Sequence, residues 1–114
     1  MADTQKYLMR PSSALAPGTE LGPATAITEE IMVFFVDCTV AAGGGNLVVK
    51  FQSKDPLSGL WTDLPGATVT ITAVTTNRVV PTVGFVPDVD LRYNAVATTG
   101  TYTFTVSALG KSFN

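Results

Sequence analysis

The sequence predicts an all-β protein: an antiparallel β-sandwich of about seven short strands with an extended N-terminal arm. Three observations carry that expectation. Apolar and polar residues alternate with a period of two through most of the chain from residue 24 onward. Turn residues separate the alternating runs. No stretch shows a convincing helical period. Threonine and valine supply more than a quarter of the 114 residues, and their stiff, branched side chains suit a pleated surface.

Residues 1–23 form the arm. Pro11, Pro17, Pro23, Gly18 and Gly22 interrupt every periodic pattern there, and proline both removes a backbone donor and pushes its predecessor to extended geometry. Tyr7, Leu8, Met9, Leu15 and Leu21 are too apolar for an ordinary flexible tail. They dock either on the chain's own domain or across a neighbouring subunit, with a purely flexible tail as the bland alternative.

Residues 24–114 form the sandwich domain. Ile31 to Val40 is apolar on both faces, as expected of a central strand or one covered by another chain. Gly43-Gly44-Gly45-Asn46 marks a hairpin tip, mobile or pressed close against a neighbour. Leu47, Val49 and Phe51 then alternate with Val48, Lys50 and Gln52. Asp55-Pro56-Leu57-Ser58-Gly59 leads into Leu60 to Leu64, and Pro65-Gly66 reads as a turn before Thr68 to Ala73. Thr76-Asn77, Pro87-Asp88 and Thr98-Thr99-Gly100 read as further turns. Leu91, Tyr93 and Ala95 alternate with Arg92 and Asn94. Tyr102, Phe104, Val106 and Ala108 alternate with threonines and Ser107.

Composition removes most chemistry. The 11.9 kDa chain is one domain in size. It has no histidine and one cysteine, so no catalytic residues, cofactor or metal site are assigned: imidazole bases, an intrachain disulfide and the usual zinc sets are all excluded. Seven Lys and Arg against nine Asp and Glu give a net charge of −2. The cations are scattered singly, without the basic stripe that displaces counterions from phosphates, so no nucleic-acid partner is expected. The longest apolar run, Ile31 to Val36, falls far short of the roughly 20 residues of a membrane helix. No signal peptide is visible, which points to synthesis in a cytoplasm. A mean hydropathy of +0.31 is high for a monomer without a membrane span, and favours assembly with other protein.

The carboxylates Asp55, Asp63, Asp88 and Asp90 fall at loops or strand ends. They read as turn residues, since no calcium-loop spacing is present. Glu29-Glu30 reads as a solvated pair guarding the most apolar strand. Cys38, with no basic neighbour, reads as a small buried residue. Trp61, Tyr93 and Tyr102 present two readings: a sugar-stacking platform, or core tyrosines with Trp61 plugging one end of the sandwich. The triple glycine lacks the Lys-Ser/Thr and the helix of a phosphate cradle.

Leu47-Val48-Val49-Lys50-Phe51-Gln52-Ser53-Lys54-Asp55, the loop ending Gly59-Leu60-Trp61-Thr62-Asp63-Leu64, then Asp90-Leu91-Arg92-Tyr93 and Thr103-Phe104-Thr105-Val106-Ser107 together resemble short tailed-bacteriophage virion proteins, several of them capsid decoration (cement) proteins built as β-sandwiches. The resemblance covers roughly the C-terminal 85 residues and departs at the Asp55–Gly59 loop; the arm lies outside it. It implies a non-enzymatic protein of the outer capsid surface, partnered by the major capsid protein and assembling as a homo-oligomer, with a trimer the family's habit. A tail or head–tail component and a carbohydrate-binding adhesion module are the alternatives. In the decoration reading, Tyr7, Leu8 and Met9 anchor the arm on a neighbour, and Arg10 pairs with a carboxylate there.

Overall fold

The alternating runs become two antiparallel sheets packed face to face in a computed structural model, which describes residues 2–29, 31–80 and 89–113. Among the described residues the strands are β1 (Ala2–Leu15), β2 (Gly18–Leu21), β3 (Thr25–Ile27), β4 (Ile31–Ala42), β5 (Leu47–Lys54), β6 (Trp61–Ile71), β7 (Thr75–Val79), β8 (Val89–Ala97) and β9 (Thr101–Phe113). One sheet runs β1-β9-β4-β7. The other runs β2-β8-β5-β6, and β3 pairs with the first part of β8. The fold is the expected all-β sandwich, with nine strands among the described residues.

The core lies between the sheets and follows the alternation. Met32, Phe34, Val36 and Cys38 of β4 and Tyr102, Phe104, Val106 and Ala108 of β9 are buried on one side. Leu47, Val49 and Phe51 of β5 and Leu91, Tyr93 and Ala95 of β8 are buried on the other. Phe34 and Phe51 stack across the gap, with ring centroids 4.0 Å apart and planes at 14°. Burial of these side chains, at about 25 cal/mol per Å² of apolar surface, is the main force holding the sheets together. As its two-sided apolarity requires, β4 is interior to its sheet, between β9 and β7. Its outward Val33 and Phe35 are only half-buried.

Several local expectations change. Pro65-Gly66 is no turn: β6 continues through it, with a register irregularity opposite Lys50 and Gln52 and Gly66 at φ 77°. A bulge absorbs the missing proline donor without ending the strand. Thr76-Asn77 lies inside β7, and Ala73 is exposed in the bend before it. Pro87-Asp88 lies outside the described residues.

The glycine tip is pressed against its own chain. A Cβ on Gly45 would stand 2.0 Å from Thr99 Oγ1, and one on Gly43 would stand 2.7 Å from the Gly100 Cα. Beside them, Thr98 N donates to Asn46 O and Tyr102 Oη donates to Gly44 O.

Residues 2–21, placed in the arm on sequence, are extended and lie along both sheets. β1 pairs with β9 from Ala2 opposite Phe113 to Leu15 opposite Tyr102, and β2 pairs with β8. β1 is an edge strand with irregularities between Leu8 and Arg10 and between Arg10 and Ser13. Pro11 falls in the second of these, where no ladder donor is needed.

Candidate functional site

The four arm residues singled out on sequence divide. Met9 and Arg10 are 4% and 3% exposed, Tyr7 is half-buried, and Leu8 is 67% exposed. The irregularity after Leu8 puts two consecutive residues inside and leaves Leu8 alone facing out. Arg10 finds its carboxylate within the same chain: its Nε donates to Glu20 Oε2 at 2.5 Å. Its Nη1 donates to the carbonyls of Phe104 and Ser13 at 2.7 and 2.8 Å, and its guanidinium lies 3.9 Å above the Phe104 ring. Tyr93 Oη also donates to Glu20, at 2.8 Å. One strand from each sheet is therefore joined through a single carboxylate.

A second clamp holds the start of β1. The Tyr7 hydroxyl donates to Glu29 Oε1, and Thr28 Oγ1 donates to Glu29 Oε2. Glu29, expected as solvated, is 8% exposed; the tyrosine hydroxyl replaces the water it gives up. Glu30 lies outside the described residues. Burial, then the contact with Glu29, pushes the Tyr7 phenol up to about 12. Burial and Glu20 do the same for Tyr93, also to about 12. Arg10 holds Glu20 below the usual carboxylate range, and Tyr7 does so for Glu29.

Asp55 and Asp63 are engaged in structure. Asp55 accepts the Leu57 amide at 2.8 Å and so ties its loop. Asp63 accepts Gln52 Nε2 at 2.8 Å and lies 3.5 Å from Lys50 Nζ. Gln52 accepts from Arg92 Nε at 2.8 Å, and the Arg92 guanidinium covers the Trp61 ring at 4.3 Å. This chain of contacts lies on the outer face of the β2-β8-β5-β6 sheet. Trp61 therefore plugs no end of the sandwich. Tyr93 and Tyr102 are 4% and 1% exposed, so the three rings form no common platform. A cavity of about 260 Å³ is lined by Lys54, Pro56, Val89 and Asp90. Asp88 lies outside the described residues. Among the described residues, no three His, Cys, Asp or Glu side chains are grouped to hold a metal.

The outer face of the other sheet is different in kind. Register and alternation set Leu8, Ser107, Phe35 and Arg78 in one outward row, and Lys6, Leu109 and Val33 in the next. Lys6, Tyr7, Phe35, Ser107, Ala108 and Leu109 line a groove of about 270 Å³ there. Sequence reasoning missed this surface and Glu20, and read Glu29 as solvated. The apolar outward positions of β4 were its one visible signal.

These features define a β-sandwich tied across its two sheets by buried carboxylate clamps, with outer faces of different character. No protein-family model and no curated protein sequence matches the chain. Among solved structures, the SPBc2 prophage-derived protein YomS is similar over 98% of this chain and 96% of that one, at 15% identity and a TM-score of 0.65. A chain of infectious bursal disease virus, Gx strain, is similar over 98% of this chain, which spans 33% of its length, at 10% identity and a TM-score of 0.64. The CBM36-1 domain of a multidomain xylanase from the hindgut metagenome of Trinervitermes trinervoides matches over 95% and 97% of the two chains, at 8% identity and a TM-score of 0.54. Likeness at such identities is likeness of fold.

Proposed function

We propose that the chain is a structural protein of a virus particle, and specifically a capsid decoration protein that binds the outer shell of a phage and strengthens contacts between major capsid subunits. The observation that carries this reading is the likeness to a prophage-derived protein along nearly the whole of both chains. The fold's recurrence in the VP2 subviral particle of infectious bursal disease virus supports the broader, particle-forming role. The physics is compatible: such a protein needs a stiff body and surfaces that bury area on neighbours, and it stabilises the shell through those contacts. The core positions of Tyr93 and Tyr102 weigh against the adhesion-module alternative.

The test is to add the purified protein to phage shells that lack it. The reading expects saturable binding at a fixed number of copies per shell and a higher temperature of shell rupture. Binding to isolated tails with none to shells would replace decoration by a tail role, and binding to neither would overturn the reading.

A further inference from the structure

The two outer faces of the sandwich differ in how their charges are used. On the β2-β8-β5-β6 sheet, Lys50 is 3.5 Å from Asp63, Arg92 is taken up by Gln52 and Trp61, and Lys54 shares a cavity lining with Asp90. On the β1-β9-β4-β7 sheet, the exposed cations are Lys6, Arg78 and Lys111. Among the described residues, none of the three forms an ion pair; the pairs present are Arg10–Glu20 and Lys50–Asp63. Among the described residues the acid on that outer face is Asp37, which lies two register positions from Phe35 and accepts the Thr76 hydroxyl at 2.8 Å.

The three cations frame an apolar strip. Leu8 at 67% exposure is opposite Ser107, which is opposite Phe35, which in turn is opposite Arg78. Lys6 is opposite Leu109, which is opposite Val33, while Lys111 is opposite Thr4. The groove along β9 is lined by Lys6, Phe35 and Leu109 with the small Ser107 between them. In a chain whose net charge is −2, three cations with no ion pair among the described residues stand around one apolar strip. An apolar centre with a rim of one charge sign is how protein interfaces are built.

We infer that this face is a docking surface for an acidic protein surface: an apolar ridge or extended segment flanked by carboxylates. The apolar side chains enter the groove between Phe35 and Leu109, and the carboxylates meet Lys6, Arg78 and Lys111. Loss of water from Leu8, Phe35, Val33 and Leu109 holds the complex, while the charges set orientation and speed of encounter. Under the decoration reading, on which this assignment of the shell-facing side rests, the partner surface belongs to the major capsid subunit.

Two measurements test the surface and separate its failure from that of the decoration reading. The first needs no shell. Isotope-labelled protein is titrated with a capped alternating Glu–Leu hexapeptide, and amide shifts are mapped. Movement concentrated at Leu8, Val33, Phe35 and Leu109, much weaker with a Lys–Leu hexapeptide, supports the surface. Equal response to both peptides, shifts mapping to the opposite sheet, or the same site filled by short duplex DNA in place of the peptide overturns it.

The second measurement compares shell binding of two variants, each three units more negative than the natural chain. One carries Lys6→Gln, Arg78→Gln and Lys111→Gln; the other carries Thr19→Glu, Thr68→Glu and Thr70→Glu on the opposite face, all six positions being exposed. The surface predicts at least about a tenfold loss of affinity for the first and little change for the second, with both melting near the natural chain. Equal loss, or loss only in the second, overturns the surface and leaves decoration standing. If the peptide maps as expected but the natural chain ignores shells, the surface stands and decoration falls.

Discussion

Arg10 of β1 and Glu20 of β2 meet at 2.5 Å across the edge of the sandwich, joining a strand of one sheet to a strand of the other. Arg10 also satisfies two backbone carbonyls and stacks on Phe104. Replacing it with methionine keeps the stem but leaves both carbonyls without their side-chain donor and Glu20 with the Tyr93 hydroxyl and no cation. The expected loss is about 3 kcal/mol in chemical denaturation. Arg10→Lys keeps charge but not the planar fork, and should fall between the two. A methionine variant as stable as the natural chain would deny the clamp its role.

Stability should fall at both ends of the pH scale. Tyr7 and Tyr93 titrate at about 12 in the folded chain, against 10.0 for an ordinary tyrosine. Above pH 10 the unfolded chain releases these protons while the folded chain still holds them. Their contribution is thus complete below pH 10 and is lost between pH 10 and about 12. Glu20 and Glu29 are shifted down from 4.5, so their contribution is complete above that value and is lost as pH drops through the lower folded values. Melting temperature followed by circular dichroism should trace both limbs. Tyr7→Phe with Tyr93→Phe should flatten the alkaline limb; an unchanged limb would assign it elsewhere.

Gly44 and Gly45 separate strain from crowding. Both have positive φ, 77° and 73°, so alanine at either costs about 1 kcal/mol in backbone strain. A Cβ on Gly44 meets nothing within 4 Å, whereas one on Gly45 meets Thr99 Oγ1 at 2.0 Å. Gly45→Ala should therefore destabilise by about 1–2 kcal/mol more than Gly44→Ala. Equal effects in paired denaturant titrations would show that the two turns do not press together.

Cys38 should be chemically silent in the folded protein. It is 1% exposed, its thiol contacts the Val40 carbonyl at 3.3 Å, and burial pushes its pKa up. Reaction with a thiol-specific disulfide reagent should be about a hundredfold slower or more than in denaturant. Rapid labelling under native conditions would place the thiol at the surface.

β5, β8 and β9 were legible because each keeps strict alternation: Leu47, Val49 and Phe51, or Tyr102, Phe104, Val106 and Ala108, mark the dry face without interruption. β1 was not. Its irregularities put Met9 and Arg10 inside side by side, breaking the period by which strands are recognised. Pro65 divided β6 for a related reason, since a proline inside a bulge looks from sequence like one inside a turn. The clamps were hidden for another. Glu29 is 22 residues from Tyr7, and Tyr93 is 73 residues from Glu20. Alternation reports which face is dry, not which polar groups share it. The outward strip of Val33 and Phe35 was visible as two-sided apolarity, but the framing cations Lys6, Arg78 and Lys111 come from three different strands, and only strand order brings them together.

The pairing of β1 with β9 has a consequence for how the molecule is made. Arg10 and its acceptor on Phe104 are 94 residues apart in the chain, so β1 leaves the ribosome well before β9 and waits for it before its ladder can form. Throughout that interval Met9 has no core to enter, and β1 is an unpaired, apolar-bearing edge of the sort that joins foreign strands. The prolines and bulges that hid β1 from the sequence reading are also what make it a poor template for such pairing, so the nascent chain carries its own protection until β9 arrives.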